Sequence, residues 1–442
     1  METNLRNWIG FWLLGLCNNY AYVIMLSAAH DLLKKDFHSD SSTTSSSEGG
    51  PLDLLPTNKT ICNPTSASAI LLADIVPSLI TKAISPFLFT NNQVRVAIVI
   101  ILSAASFLIT CFSVSNFMTF TGVIAASVSS GLGEVSFLAY SANFDKRVVS
   151  GWSSGTGAAG LVGSGVYLLL KVFFSTRVTL GVQLIIPIIM TVTFYFLIVH
   201  PQPGQLEAAA HRRFYDSTDG LPIVDMIEAN GTMTDSSVTS LNMVHDQEEL
   251  SINDKLRLIY PLFIRFMLPL GLVYFFEYFI NQGLYELMYF SNSSLSIDTQ
   301  YTLFSHLYQV CVYIHKSFIV NDSMLQVGVF VSRSSVQFIQ IKVLWFLPLL
   351  QGVNFVLFLV HIIHPFFGSI YVAILLILFE GLLGGAAYVN TFYRISQESE
   401  PRHKSFNMSI TSLADSVGIT LAALSSLPTH DALCPIINQR LL

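Results

Sequence analysis

The stretch "LFEGLLGGAAYVN" (378–390) sets one carboxylate, Glu380, and three glycines inside an oily run. It falls within 370–393, a window long enough to cross the ~30 Å hydrocarbon core of a bilayer, which takes roughly 20 apolar residues. Such windows recur along the 442-residue chain, which is 52% hydrophobic and only 11% charged, with a mean hydropathy of +0.58. A soluble domain carries about a quarter charged residues, so the composition predicts an all-α polytopic membrane protein. The runs lack the period-2 alternation of an outer-membrane barrel. A mild net charge of −6 points away from a nucleic-acid partner.

Transmembrane spans are expected at 8–29, 67–90, 94–115, 117–142, 148–174, 178–200, 258–290, 299–332, 341–363, 369–393 and 405–428, about 11 helices. The 258–290 run is long enough to be broken or tilted. One long polar segment separates six spans from five. The chain therefore divides into an N-terminal six-helix bundle (1–200), a cytosolic polar loop (201–257), a C-terminal bundle (258–428) and a tail (429–442). Two bundles around a central loop predict a major-facilitator-like architecture. The first apolar run, interrupted by Asn18 and Asn19, is too long for a cleaved signal peptide and reads as an anchor. With the N-terminus cytosolic, thirteen Lys and Arg, including Arg6, Arg147, Lys255, Arg333 and Lys342, fall on the cytosolic side and seven on the other. The sequons at Asn58 and Asn292 then share the luminal side, where both are expected to be glycosylated. The five cysteines form no disulfide framework.

An ionisable group at mid-bilayer costs on the order of 2.5–3.5 kcal/mol on insertion scales, so its default reading is a cavity or a solute pathway. Glu134, Glu277, Glu380 and Asp415 qualify, with Asp74, Lys82 and Glu286. In "YFFEYFINQGLYE", Tyr274, Glu277 and Asn281 share one helix face, and Tyr278, Gln282 and Tyr285 the adjacent one. Ser127, Ser130, Glu134 and Ser141 form a polar stripe on the fourth span. Glu134 and Glu380 occupy equivalent spans of the two halves, in the glycine-rich runs "SSGLGE" and "EGLLGG", a sign of an internal repeat. The expectation is that these acids line a shared, water-accessible hollow and that the glycines make room for them. The alternative is that they are protonated or bonded to neighbouring helices as structural glue. For Asp74 and Lys82, pairing with neighbours is the better reading.

"GTGAAG" (155–160) has the letters of a dinucleotide fingerprint but sits in an oily helix. Gly151, Gly155, Ala159 and Gly163, four residues apart, read as a helix-packing stripe instead. His361 and His364 lack a third metal ligand in the sequence. No Ser-His-Asp order, H-E-x-x-H or Walker loop is present, so neither a cofactor nor a metal is expected and the chain does not read as an enzyme. The cytosolic loop near 91–95 reads "NNQVR" rather than the signature of many major facilitators.

"GFWLLGLCNNYAYVIMLSAAHDLL", "SSGLGEVSFL", "WSSGTGAAGLVGSGVY", "EYFINQGLYEL", "VSRSS", "EGLLGGAAYVNTF" and "HDALC" together resemble the battenin family of lysosomal membrane proteins, from about residue 8 to 434. The resemblance implies a major-facilitator-like multi-pass protein of lysosomes and late endosomes. It further implies efflux of glycerophosphodiesters and a part in lysosomal homeostasis, including pH and basic amino acids. Glu277, Arg333 and Asp415 match motif positions of that family. The expected partners are a small organic solute, protons and the lipid bilayer. The alternative reading is a non-transporting scaffold that organises trafficking proteins through the central loop. In that loop "DSTDGLPI" (216–223) is only a loose sorting signal.

Three features depart from the family pattern. The N-terminal tail is short. Cys434 is followed by "PIINQRLL" rather than ending a prenylation box. A run of seventeen residues, "VCVYIHKSFIVNDSMLQ" (310–326), splits what otherwise reads "LYQVGVFVSRSS". As helix it would span about 26 Å, and with Lys316 and Asp322 inside it, it is expected to form a loop rather than to lengthen a span.

Overall fold

The computed structural model describes residues 2–40, 67–88, 91–201, 251–288, 290 and 326–441. The expected glycosylation sites Asn58 and Asn292, the sorting-type stretch at 216–223 and all of the inserted run except Gln326 lie outside them.

The first half comprises α1 (Glu2–Asp40), α2 (Ala67–Leu88), α3 (Asn92–Cys111), α4 (Asn116–Ser141), α5 (Arg147–Phe173), α6 (Thr176–Val182) and α7 (Ile185–Val192). The second comprises α8 (Ile252–Leu262), α9 (Leu268–Phe279), α10 (Gln326–Ser334), α11 (Phe346–Ile363), α12 (Ile370–Glu398), α13 (Pro401–Thr411) and α14 (Leu413–Leu441). Among the described residues nine segments are long and apolar enough to cross a bilayer. Side-chain caps start several helices: Asn91 accepts from the backbone N–H of Gln93 at 2.9 Å, and Ser115 from that of Met118 at 3.3 Å.

Two spans are interrupted where proline removes a donor. Pro187 has no N–H for the carbonyl of Gln183, and the chain breaks between α6 and α7 at that point. The long span expected at 258–290 is one run with wide π turns at Phe263–Met267 and Ile280–Leu284; Pro261 and Pro269 flank the first.

The outer surface is apolar, as a lipid-facing surface must be. Ile101, Phe117, Phe196, Leu349 and Leu375 are all exposed. The interior combines a large apolar core with many buried polar side chains. The apolar window of α4 is 78% buried against 39% for α2 and α3, which makes α4 an interior helix.

Close approaches show which helices run together. Gly151 faces the Trp8 carbonyl at 2.7 Å from where a Cβ would stand, Gly155 meets the backbone of Trp12 and Leu16, and Gly163 meets the Tyr20 ring. The glycine stripe is therefore a parallel α1–α5 seam, as its spacing predicts. Gly131 lies on Ser78, and Lys82 pairs with Glu134, so α2 and α4 also run parallel. The second half repeats the scheme. Gly271 faces Ala414 and Gly283 faces Ser426, aligning α9 with α14, while Gly385 faces Ser332, aligning α10 with α12. In each half the first span pairs with the fifth and the second with the fourth, the internal repeat foreshadowed by "SSGLGE" and "EGLLGG".

The α1–α5 seam makes a direct expectation. A methyl group at Gly155 would meet backbone, which cannot swing away, whereas Gly165 has nothing within 4 Å of its missing Cβ. Gly155→Ala is expected to cost about 1–3 kcal/mol by overpacking and to lower the thermal midpoint in detergent. Gly165→Ala should leave it unchanged or raise it slightly.

Candidate functional site

Three charged side chains from three helices meet in the interior. Lys82 of α2 lies with Nζ 2.6 Å from Glu134 Oε2 of α4 and 2.8 Å from Asp415 Oδ1 of α14. Nζ also lies 3.1 Å from the second Asp415 oxygen. Their side chains are only 4%, 8% and 9% exposed, so each depends on the others for solvation. Asp415 Oδ1 further accepts from the Ser416 N–H at 2.5 Å and its hydroxyl at 3.1 Å.

The network continues. Tyr388 of α12 donates its hydroxyl to Glu134 Oε1 at 2.5 Å and accepts from Trp152 Nε1 at 3.1 Å. The Arg333 guanidinium of α10 stacks over the Tyr388 ring, 4.3 Å from its centroid. It donates to Thr156 Oγ1 at 2.6 Å and to the Tyr274 hydroxyl at 2.9 Å. Gly157 makes room for it, since a Cβ there would stand 3.0 Å from Arg333 Cδ.

Every link from Lys82 to Asp415, Glu134 to Tyr388, Trp152 to Tyr388 and Thr156 to Arg333 crosses between the two halves. The Ser154–Ser334 contact at 2.9 Å and the bond from Gln337 to Ser150 at 2.8 Å extend the crossing. Lys82 and Arg333 lie near the ends of α2 and α10 and Trp152 near the start of α5, toward the side that the Lys and Arg distribution predicts to be cytosolic. Asp415 lies deeper, inside the span Pro401–Ile437.

Glu380 and Glu277 lie deeper in the second half, Glu277 acting on Arg333 and Tyr274 through its charge. Glu380 accepts from the Tyr285 hydroxyl at 2.6 Å, a contact within the second half. Glu277 is buried with its carboxylate against Gly384, where any Cβ would collide with it, and Gly385 likewise admits Ser332 of α10. Two of the three glycines in 378–390 thus make room, one for a carboxylate and one for a helix. Asn281 is buried without a hydrogen-bond partner for its amide among the described residues, and Gln282 is half-buried.

The structure corrects one expectation. Among the described residues the acids do not surround an open hollow: Glu134 and Asp415 are sealed around Lys82. A groove of about 790 Å³ lies elsewhere, on the apolar outer face between α9 and α11. Arg333, expected on the cytosolic side and as a candidate of the solute or proton pathway, lies near the end of α10 and reaches between the halves. Sequence reasoning also left Lys82, Tyr388, Trp152 and Thr156 out of the site. A lone lysine in an apolar span signals that a partner exists, but not that the partner lies in the other half. His361 has a different task, its Nδ1 accepting the backbone N–H groups of Phe366 and Phe367 at 3.2 Å each. Cys434 lies within α14 and is disulfide-bonded rather than a free thiol.

The chain is similar to several known membrane proteins. Battenin of the dog is 40% identical over 436 residues, covering 97% of this chain and 91% of that protein. Protein btn-1 of Neurospora crassa is 32% identical, covering 96% and 88%. Among solved structures, the major facilitator proton:xylose symporter XylE bound to 6-bromo-6-deoxy-D-glucose superposes with a TM-score of 0.57 at 12% identity, covering 98% of this chain and 89% of that one. A peptide transporter POT in complex with alafosfalin gives 0.52 at 11% identity, covering 98% and 91%. The family description "CLN3 protein" matches residues 9–321 and 315–436, two segments that meet inside the inserted run. The chain is a multi-pass membrane protein with the major facilitator fold and belongs to the CLN3 protein family.

Proposed function

We propose that this chain is a solute transporter of the lysosomal and late-endosomal membrane and that its substrates are glycerophosphodiesters moved toward the cytosol. The observation that carries the reading is the buried chain of bonds from Asp415 through Lys82, Glu134 and Tyr388 to Arg333, which ties the two halves together. In a fold whose halves rock about a central site, such a tie is a gate. Opening it requires Lys82 to part from Asp415 and Tyr388 from Glu134.

Charge supports the phosphodiester. Lys82 is held by two carboxylates, but the hydrogen bonds of Arg333 go to two hydroxyls. The Glu277 and Glu134 carboxylates also act on its charge, and the planar fork of arginine suits a phosphate geometrically. Glu277 and Asn281, on the neighbouring face of α9, would contact the polar remainder of the solute.

The test is transport in proteoliposomes of labelled glycerophosphodiesters and, separately, of arginine. Wild type is expected to move the phosphodiester. Glu277→Gln is expected to reduce that flux at least about tenfold, equivalent to roughly 1.4 kcal/mol. Movement of arginine alone would reassign the substrate to basic amino acids. Movement of neither, with partner binding intact, would make the chain a scaffold.

A further inference from the structure

The groove on the outer face plays no part in the interhalf network. Leu272 and Phe276 of α9 form one wall, and Trp345, Gly352, Val353 and Val356 of α11 form the other. Gly352 creates the depth, because a Cβ there would stand 3.3 Å from the Phe276 ring. From Trp345 to Val356 the groove follows α11 for about 17 Å at ~1.5 Å per residue, close to the ~15 Å depth of one leaflet.

Basic side chains gather at the Trp345 end. Arg265 and Arg394 both pair with Glu398 at 2.7 Å, and Arg394 also donates to the carbonyl of Lys342. Lys342 is exposed and lies three residues before Trp345, among the exposed apolar residues Phe338, Ile339 and Val343. Two arginines share one carboxylate and Lys342 is exposed beside them, so these four side chains carry a net positive charge at the depth of lipid headgroups. Trp345 beside Lys342 is the pairing found where a segment rests at the membrane interface.

We infer that this groove holds one acyl chain of an anionic glycerophospholipid, whose headgroup rests on Arg265, Arg394 and Lys342. The site lies in the leaflet predicted to face the cytosol, where anionic lipids concentrate. It is separate from the solute pathway and stands whether or not the chain transports phosphodiesters.

Native mass spectrometry of the full chain, released from detergent after incubation with phosphatidylserine or phosphatidylcholine, reads the site. Wild type should retain phosphatidylserine at least about tenfold better than phosphatidylcholine. The double variant Arg265→Ala with Lys342→Ala should lose that preference, and both side chains are exposed enough for the fold to survive. Val353→Trp, which fills the groove from an exposed position, should reduce retention of both lipids. Equal retention of the two lipids by wild type, or an undiminished preference in the double variant, would overturn the assignment. So would unaltered retention in Val353→Trp.

Discussion

Lys82→Met is expected to destabilise the protein by about 3–5 kcal/mol, the usual cost of removing one partner from a buried ionic cluster. Methionine fills nearly the same space, so the loss is electrostatic rather than a cavity. Glu134 and Asp415, which now share one ammonium at 2.6 and 2.8 Å, would face each other without it. Thermal unfolding of the detergent-solubilised protein measures the effect. The diagnostic comparison is the triple variant with Glu134→Gln and Asp415→Asn added to Lys82→Met. Neutral amides remove the unpaired charge, and most of the lost stability should return. A single variant that melts like wild type, or a triple variant no better than the single, would show that the three residues do not depend on one another.

That dependence explains what the sequence reveals and what it hides. Spans were legible because apolar length and loop charge are local properties: α2 and α5 fall within two residues of the expected segments. The α1–α5 seam was legible because small residues four apart have a packing meaning wherever they occur. The π turns were half legible, since the length of 258–290 demanded an irregularity but not its form. Pairings across the halves were invisible. Lys82 and Asp415 are 333 positions apart, and nothing near either names the other. Tyr388 looked like an ordinary aromatic two turns beyond Glu380. Arg333 was legible as a cytosolic-side candidate, but its partners Thr156 and Tyr274, on other helices, were not.

The repeat also shows why Glu134 and Glu380 have different partners despite equivalent spans. Glu134 is two turns from the gated end of α4 and meets Lys82, whereas Glu380 is nearer the opposite end of α12 and bonds Tyr285 within its own half. The residue of α12 that faces Glu134 is Tyr388, and α10 contributes its own cation, Arg333. Each half thus presents a cation from its second span and a hydrogen-bonding group from its fourth. The two sets interlock at Glu134–Tyr388, 2.5 Å apart. A gate built this way couples the halves through unlike groups, so disturbing either cation should loosen the same closure.

Arg333→Ala should show this most clearly. The change removes charged hydrogen bonds to Thr156 and Tyr274, each typically contributing about 1.5–3 kcal/mol, together with the stacking over Tyr388. Because the bonds share one donor group they will not add fully, and a loss of about 3 kcal/mol is expected. Arg333→Lys should recover little of it, since an ammonium cannot reach two hydroxyls on different helices while lying flat on a ring. The decisive readout is where the molecule opens. A thiol-reactive probe at a cysteine replacing Ser154, whose hydroxyl contacts Ser334 across the halves, should react slowly in the wild-type background. In Arg333→Ala the same cysteine should react markedly faster, as the halves part at that end. Lys82→Met should have the same effect through its own half of the gate. If Arg333→Ala lowers stability but leaves the cysteine as protected as before, Arg333 stabilises its own bundle and the closure rests on Lys82 alone.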